Sequence, residues 1–268
     1  MMRLSREIPV LLYHHIGNYP AAAMEDGLLP ETFTHQMQYL SSQDRHTIVP
    51  LSSAVDHLTG RVTLPPGSMS LTIDDGFRNA VTDVLPVLQR HAFHATFFVI
   101  PEYIGGHQTV GGISIPCMDW HELDAIAQAG MGIGILACKG RGIRKQYDDA
   151  YIRESVISSL EIMNDTCHGP IRYIAFREGV PEPPLWQFLQ SRGIEAVFTQ
   201  CPTNRRASLA GIGRIQIDDD DQNIFLTKIS RTYLFFKDMP SWKYIRRYNI
   251  DWLAHRLSDM VNRMTGKG

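Results

Sequence analysis

The sequence predicts an α/β fold in which a mostly parallel sheet, open or closed into a barrel, carries its helices outside. Two observations predict it. The stretch Ser70–Ile100 reads as strand, acidic turn, helix and strand, a complete βαβ unit. The same alternation of short apolar runs with helical spacing recurs from Ile8 to Thr199. No repeat or low-complexity tract interrupts the 268 residues, and one large domain is expected.

Ile8 to Tyr13 is an apolar run that forms a first buried strand and delivers His14 and His15 to its C-terminal end. A long loop, Gly17 to Pro30, leads to a capped amphipathic helix over Thr32–Leu40, a strand near Thr47–Val49 and a short helix at Leu51–Leu58. Pro65-Pro66-Gly67 marks the turn before the strand Ser70–Ile73. That strand ends on the adjacent carboxylates Asp74 and Asp75, where Gly76 lets the backbone turn. Val81, Val84, Leu85 and Leu88 follow at helical spacing, with Pro86 expected to bend or shorten the helix, and Ala95–Ile100 is a buried strand. After a Gly-rich loop holding His107 come a helix from Met118 to Ala129, ended by Gly130, and a strand Ile133–Leu136. A helix Asp148–Met163, a strand Tyr173–Phe176, a helix Leu185–Gln190 and a strand Ala196–Thr199 complete the alternation, and a last helix is expected at Trp252–Met264. Right-handed crossovers should make the six main strands parallel, with their C-terminal ends at one mouth. In parallel folds sites gather at that end, so Asp74 and Asp75 are the first functional candidates.

At 44% apolar content the chain can bury a substantial core, and a formal net charge of −2 gives no electrostatic reason to expect nucleic acid or an anionic membrane as partner. Cys117, Cys138, Cys167 and Cys201 are widely spaced with no CxxC pair, which argues for reduced, mostly buried thiols rather than a zinc knuckle or redox dithiol. The N-terminal apolar run is too short for a signal-peptide core and no segment could span a bilayer, so a cytoplasmic location is expected. Asp218–Asp221 lacks the alternating spacing of a calcium loop and reads as a solvated turn.

Three segments carry a resemblance: Pro9-Val10-Leu11-Leu12-Tyr13-His14-His15, then Leu71-Thr72-Ile73-Asp74-Asp75-Gly76-Phe77, then Ala95-Thr96-Phe97-Phe98-Val99. With Trp120-His121-Glu122-Leu123, Gly193–Val197 and Gly213-Arg214-Ile215 in the same order, the chain resembles the polysaccharide deacetylases, the NodB-homology or carbohydrate esterase 4 family, in the subgroup that opens with a Tyr-His strand. The similarity runs with interruptions from Ile8 to about Ile217. It implies an incomplete, distorted (β/α) barrel of about seven parallel strands, with a core over about residues 8–217 and a C-terminal helical extension over about 240–268. It also implies a chemistry. Members remove N-acetyl, sometimes O-acetyl, groups from sugars with a divalent metal held by one aspartate and two histidines, which supplies hydroxide at neutral pH. A second carboxylate accepts the water's proton and an acid protonates the leaving amine. Residue by residue, the resemblance makes Asp74 the general base, Asp75 the metal ligand and His14 a group near the leaving amine; Tyr13, Arg177, Lys139 and Arg141 are the candidate substrate-binding residues.

The sequence departs from that pattern where the metal should sit. Leu136 and Gly140 occupy the two histidine positions of the second motif, so Asp75 alone remains of the ligand set and no cofactor is expected, unless zinc or another divalent metal is kept in an altered site. The third motif reads Phe176-Arg177-Glu178-Gly179, and no late Leu-x-His segment is evident. His94, His107 and His121, on a strand, in a loop and at a helix start, make poor replacement ligands. Asp74 and Asp75 also suit a capping role for the following helix, His14 reads equally as a satisfied histidine at a strand end, and Lys139, Arg141, Arg144 and Lys145 as either a solvated loop or an anion-binding edge. Two adjacent, partly buried carboxylates need positive charge nearby. Arg177 is expected to supply it to one of them, with Lys139 and Arg141 as alternatives. The functions in view are a deacetylase-like protein that acts on or binds an N-acetylated sugar or glycan precursor in glycan biosynthesis, an inactive carbohydrate-binding or partner subunit, and a scaffold. The oligomeric state is not legible.

Overall fold

The computed structural model describes residues 8–24, 26–137, 149–164, 169–177, 179–200, 208–218 and 221–230. The chain divides into two compact units, 1–218 and 219–268. In the first, chain order runs β1 (Val10–Tyr13), α1 (Pro30–Ser42), β2 (Thr47–Ile48), α2 (Leu51–Thr59), β3 (Ser68–Ile73), α3 (Leu85–Arg90), β4 (Ala95–Val99), β5 (His107–Val110), β6 (Ile113–Pro116), α4 (Trp120–Gln128), β7 (Gly132–Leu136), α5 (Asp149–Asn164), β8 (Tyr173–Phe176), α6 (Pro183–Ser191), β9 (Ala196–Thr199), β10 (Ile212–Gly213) and β11 (Ile215–Gln216).

The main sheet has the order β10-β9-β8-β7-β4-β3-β1-β11, with every neighbouring pair parallel, and β2 pairs with β3 off that path. Only Arg214 separates β10 from β11. The Arg214 N–H donates to the Thr199 carbonyl on β9 at 2.9 Å, and the Ile217 N–H donates to the Leu12 carbonyl on β1 at 2.8 Å. One short run of chain therefore joins the two ends of the sheet into a nearly closed barrel. Strands β1, β3, β4, β8 and β9 are buried at every position; β1, β8 and β9 read as near-continuous apolar runs, whereas β3 alternates small hydroxyl residues (Ser68, Ser70, Thr72) with apolar ones and buries both faces. Val10, Phe98, Leu136, Ala175 and Phe198 belong to one core cluster, with the Phe98 and Phe198 rings 5.6 Å apart.

Three local expectations are corrected. Helix α1 begins at Pro30 with Leu29 at the N-cap and no side-chain cap; proline in the first turn has no N–H to satisfy, so Thr32 is not needed as a cap. After the acidic turn the chain makes a π-helical turn, Ala80–Val84, rather than a regular α-helix from Val81, and Pro86 falls in the first turn of a short α3, so that of the two expected effects the α-helix is shortened, not bent. The supposed loop around His107 is the antiparallel hairpin β5–β6, whose polar alternation hid it. Strands β10 and β11 are two residues each, too short to leave a periodic pattern. Cys117 is buried with a free thiol. The other three cysteines and the helix Trp252–Met264 lie outside the described residues. In the second unit, Asp221 accepts from the Asn223 N–H at 2.6 Å and caps α7 (Gln222–Lys228), a use of that acidic run beyond solvation. Among the described residues no helix is long and apolar enough to cross a membrane.

The hairpin tip turns at Gly111 and Gly112, with φ of 55° and 79°. A Cβ at Gly111 would lie 1.6 Å from the Ala22 carbonyl oxygen, whereas one at Gly112 meets nothing within 4 Å. Gly111→Ala should therefore cost about 2–3 kcal/mol in urea unfolding, and Gly112→Ala only the left-handed backbone strain of about 1 kcal/mol. Equal losses would mean that the tip moves freely off Ala22.

Candidate functional site

The C-terminal ends of β1, β3 and β8 and the β10–β11 run meet at one end of the barrel and bring His14, Asp74, Asp75, Arg177 and Arg214 together. Parallel pairing does this: the Asp74 N–H donates to the Tyr13 carbonyl at 2.8 Å, so the acids of β3 arrive beside the histidines of β1. The Asn79 side-chain amide donates to the Ile16 carbonyl and ties the segment after the acids to the loop after β1.

Asp74 accepts both prongs of the Arg214 fork, Nη1 to Oδ1 at 2.6 Å and Nη2 to Oδ2 at 2.8 Å. Both side chains are fully buried. Arg214 Nη1 also reaches the Thr72 hydroxyl at 3.4 Å, and its guanidinium lies over the Phe98 ring, 5.2 Å from the centroid. Asp75 divides its oxygens between two partners, with Oδ2 2.9 Å from His14 Nδ1 and Oδ1 2.7 Å from Arg177 Nη2. Burial pushes the Asp75 carboxyl up, but His14 and Arg177 outweigh it and hold the group well below the usual carboxylate range. An ionised carboxylate only accepts, so His14 Nδ1 carries the hydrogen. Its Nε2 then takes the Gln200 amide N–H at 2.6 Å. Arg177, 32% exposed, also lies 3.7 Å from Asp26, whose other oxygen accepts from Gln216 at 2.9 Å.

Of the candidates from the sequence, His14, Asp74, Asp75 and Arg177 share the mouth, and Arg177 reaches Asp75 as a salt-bridge partner. Tyr13 does not line it. Successive strand residues face opposite sides, so with His14 inside, Tyr13 points to α1, where its hydroxyl donates to Gln36 at 3.0 Å and its ring packs edge-on against Phe33. Neither acid caps a helix, because their oxygens are taken by Arg214, His14 and Arg177. Lys139, Arg141 and Gly140 lie outside the described residues. Sequence reasoning missed Arg214 as the partner of Asp74, although the one charged residue among the isoleucines of Ile212–Ile217 was a legible sign of a buried charge in need of an acid.

Among the described residues no three His, Cys, Asp or Glu side chains cluster as a metal cage. The donors that are present do not fit a divalent cation. Leu136, where the resemblance puts a ligand histidine, is apolar and belongs to the interior cluster with Val10 and Phe98. Both Asp75 oxygens are engaged, one of them by a guanidinium whose charge would repel a cation. His94, His107 and His121 are exposed on separate segments. His15 is buried against Tyr19 and Phe77, bonded to the Ala23 backbone, with Nε2 unpartnered, and burial pushes its pKa down.

Comparison with protein families matches residues 61–197 to the family described as polysaccharide deacetylase. Comparison with curated proteins gives no match. Among solved structures, IcaB from Ammonifex degensii is similar at 22% identity and a TM-score of 0.67, over 79% of this chain and 91% of that one. The Streptococcus pyogenes deacetylase PplD, in complex with acetate, aligns at 15% identity and a TM-score of 0.68, over 84% and 98%. A de-N-acetylase from Aggregatibacter actinomycetemcomitans aligns at 16% identity and a TM-score of 0.67, over 83% and 99%. At these identities the structures establish the fold, a parallel barrel carrying its helices.

Proposed function

Starting from the fact that the chain belongs to the polysaccharide deacetylase family, we propose that it engages an N-acetylated sugar or glycan precursor at the barrel mouth, without the metal its family generally uses. The observation that carries this reading is the pairing of Asp75. A ligand aspartate must present an oxygen to the cation, and here one oxygen faces the His14 Nδ1–H and the other the Arg177 guanidinium. Arg177 puts a fixed protein cation against the carboxylate that a metal would need, and its partly exposed fork, with Gln200 and Asp26 beside it, offers planar polar groups suited to sugar hydroxyls and amides.

Binding without turnover is favoured over hydrolysis by an altered route. Among the described residues no cluster of His, Cys, Asp and Glu would seat a cation to polarise the acetyl carbonyl and supply hydroxide, and Asp74, at the general-base position, has both oxygens in the Arg214 fork. The roles proposed are therefore contact for Arg177 and, behind it, support for Asp75, His14 and Asp74. Protein incubated with excess zinc and then dialysed is expected to retain no stoichiometric metal, to bind N-acetylglucosamine oligomers calorimetrically, and to release no acetate from them. Stoichiometric zinc, nickel or cobalt, or acetate released in proportion to protein, would overturn the metal-free reading. Absence of any sugar binding would favour the scaffold role.

A further inference from the structure

We propose that Gln108, on the β5–β6 hairpin, is a positioning residue that holds Asp75 in the backbone conformation aiming its carboxylate into the barrel mouth. The premise is a problem of parity. Thr72, on β3, and Asp74, the residue just past its end, are two apart and both meet Arg214, which sets their shared direction as the barrel interior. A strand continued through Asp75 would send its side chain the other way, toward the helices. It instead reaches His14 and Arg177, because its φ is 75°, in the left-handed region. For a residue with a side chain that region is disfavoured, since Cβ crowds the carbonyl oxygen that follows it. Such a conformation persists only where its surroundings over-determine it.

The hairpin supplies that restraint at the carbonyl itself. Gln108 Nε2 donates to the Asp75 carbonyl oxygen at 2.7 Å and also lies 3.2 Å from Cys117 Sγ. The segment around it is fastened to the acidic turn residue by residue. The Met118 N–H donates to the Gly76 carbonyl at 3.0 Å, the Arg78 N–H donates to the Pro116 carbonyl at 3.0 Å, and Phe77 and Cys117 form an antiparallel bridge. At the far end, Gly111 sits against the Ala22 carbonyl. A side-chain amide on a scaffold held at both ends is a fixed donor, and its one strong acceptor is the peptide oxygen whose orientation sets the direction of the Asp75 carboxylate. The hairpin's role in this protein is thus to brace the site turn, whatever ligand the mouth takes.

The test reads the His14 ring, which touches Gln108 only through Asp75. In the parent at pH 7, proton NMR with long-range nitrogen correlation should show a slowly exchanging His14 Nδ1–H, shifted downfield by its bond to Asp75. Gln108→Leu removes the donor, and Gln108→Glu keeps the shape while placing an acceptor against the carbonyl. Both are expected to lose that resonance with the amide spectrum of the barrel strands retained. Should Gln108→Leu fail to fold, the Glu variant decides. Persistence of the parent His14 resonance in a folded variant would overturn the proposal and leave Gln108 a hairpin packing residue. Neither sugar nor metal enters this readout, so it stands or falls separately from the proposed ligand.

Discussion

Replacing Arg214 with alanine is expected to destabilise the protein by about 3–5 kcal/mol, the cost of leaving a buried carboxylate without its cation. Arg214 and Asp74 have no side-chain exposure, and the two bonds between them are 2.6 and 2.8 Å long. The pair is not an ideal source of stability, because Arg214 Nε is itself buried without a partner and both ions have been taken out of water. Its two halves are nevertheless interdependent. Asp74→Leu alone strands a guanidinium and Arg214→Ala alone strands a carboxylate, whereas Asp74→Leu with Arg214→Met removes both charges and keeps apolar volume beside Phe98. The double variant should recover most of the loss of either single one, so that urea midpoints at pH 7 show strong non-additivity. A loss under about 1 kcal/mol for Arg214→Ala would mean that water reaches Asp74. Because residue 214 links β10 to β11, amide exchange should report the opening first at the amides of residue 214 and Ile217, which donate to the Thr199 and Leu12 carbonyls where the barrel closes.

Acidification is expected to remove stability in two windows. His15 comes first. Burial lowers its folded pKa beneath the ordinary value near 6.5, so below that pH the unfolded chain takes up a proton that the folded one resists, and stability falls with pH from about 7 downward. His46, lowered by burial and by Arg45, acts in the same direction. Asp75 comes second. Its folded value is depressed, so its contribution is fully present above the unfolded value of about 4 and is lost as pH falls through that value toward the folded one. The amount at stake is on the order of 2 kcal/mol. Urea unfolding at pH 7.5, 6, 4.5 and 3 separates the windows. His15→Gln should flatten the upper one and leave the lower, whereas Asp75→Asn should flatten the lower one and, because the Asp75 charge raises the His15 pKa, retain or deepen the upper one. A stability that rises as pH drops from 7.5 to 6 would contradict the assignment of His15 as a histidine folded in its neutral form.

Legibility in the sequence followed the range of the interactions concerned. Strands rich in apolar and β-branched residues, bounded by turn signals, announce themselves in sequence, so β1, β3, β4, β7, β8 and β9 were all expected, together with their parallel arrangement, because a right-handed crossover leaves little choice. The hairpin was not, since a half-exposed polar strand pair resembles a loop in composition. Arg177 was within reach of sequence reasoning because adjacent carboxylates demand a cation and its strand end was already assigned to the mouth. The outward direction of Tyr13 was legible too, from parity alone, once its neighbour His14 was placed inside.

By itself, then, the sequence determined that two carboxylates and a histidine would stand at one barrel mouth, since strand register and residue type are local properties. Which cation serves which acid was decided by the tertiary structure. Arg214 is 140 residues from Asp74 and Arg177 is 102 from Asp75, and only closure of the barrel through β10 and β11 brings the first pair together. The direction of Asp75 was decided there as well. Nothing in Asp-Asp-Gly tells which of the residues takes the left-handed turn; that depends on a donor from a hairpin 33 positions along the chain, and a long-range contact of one side chain leaves no periodicity to read.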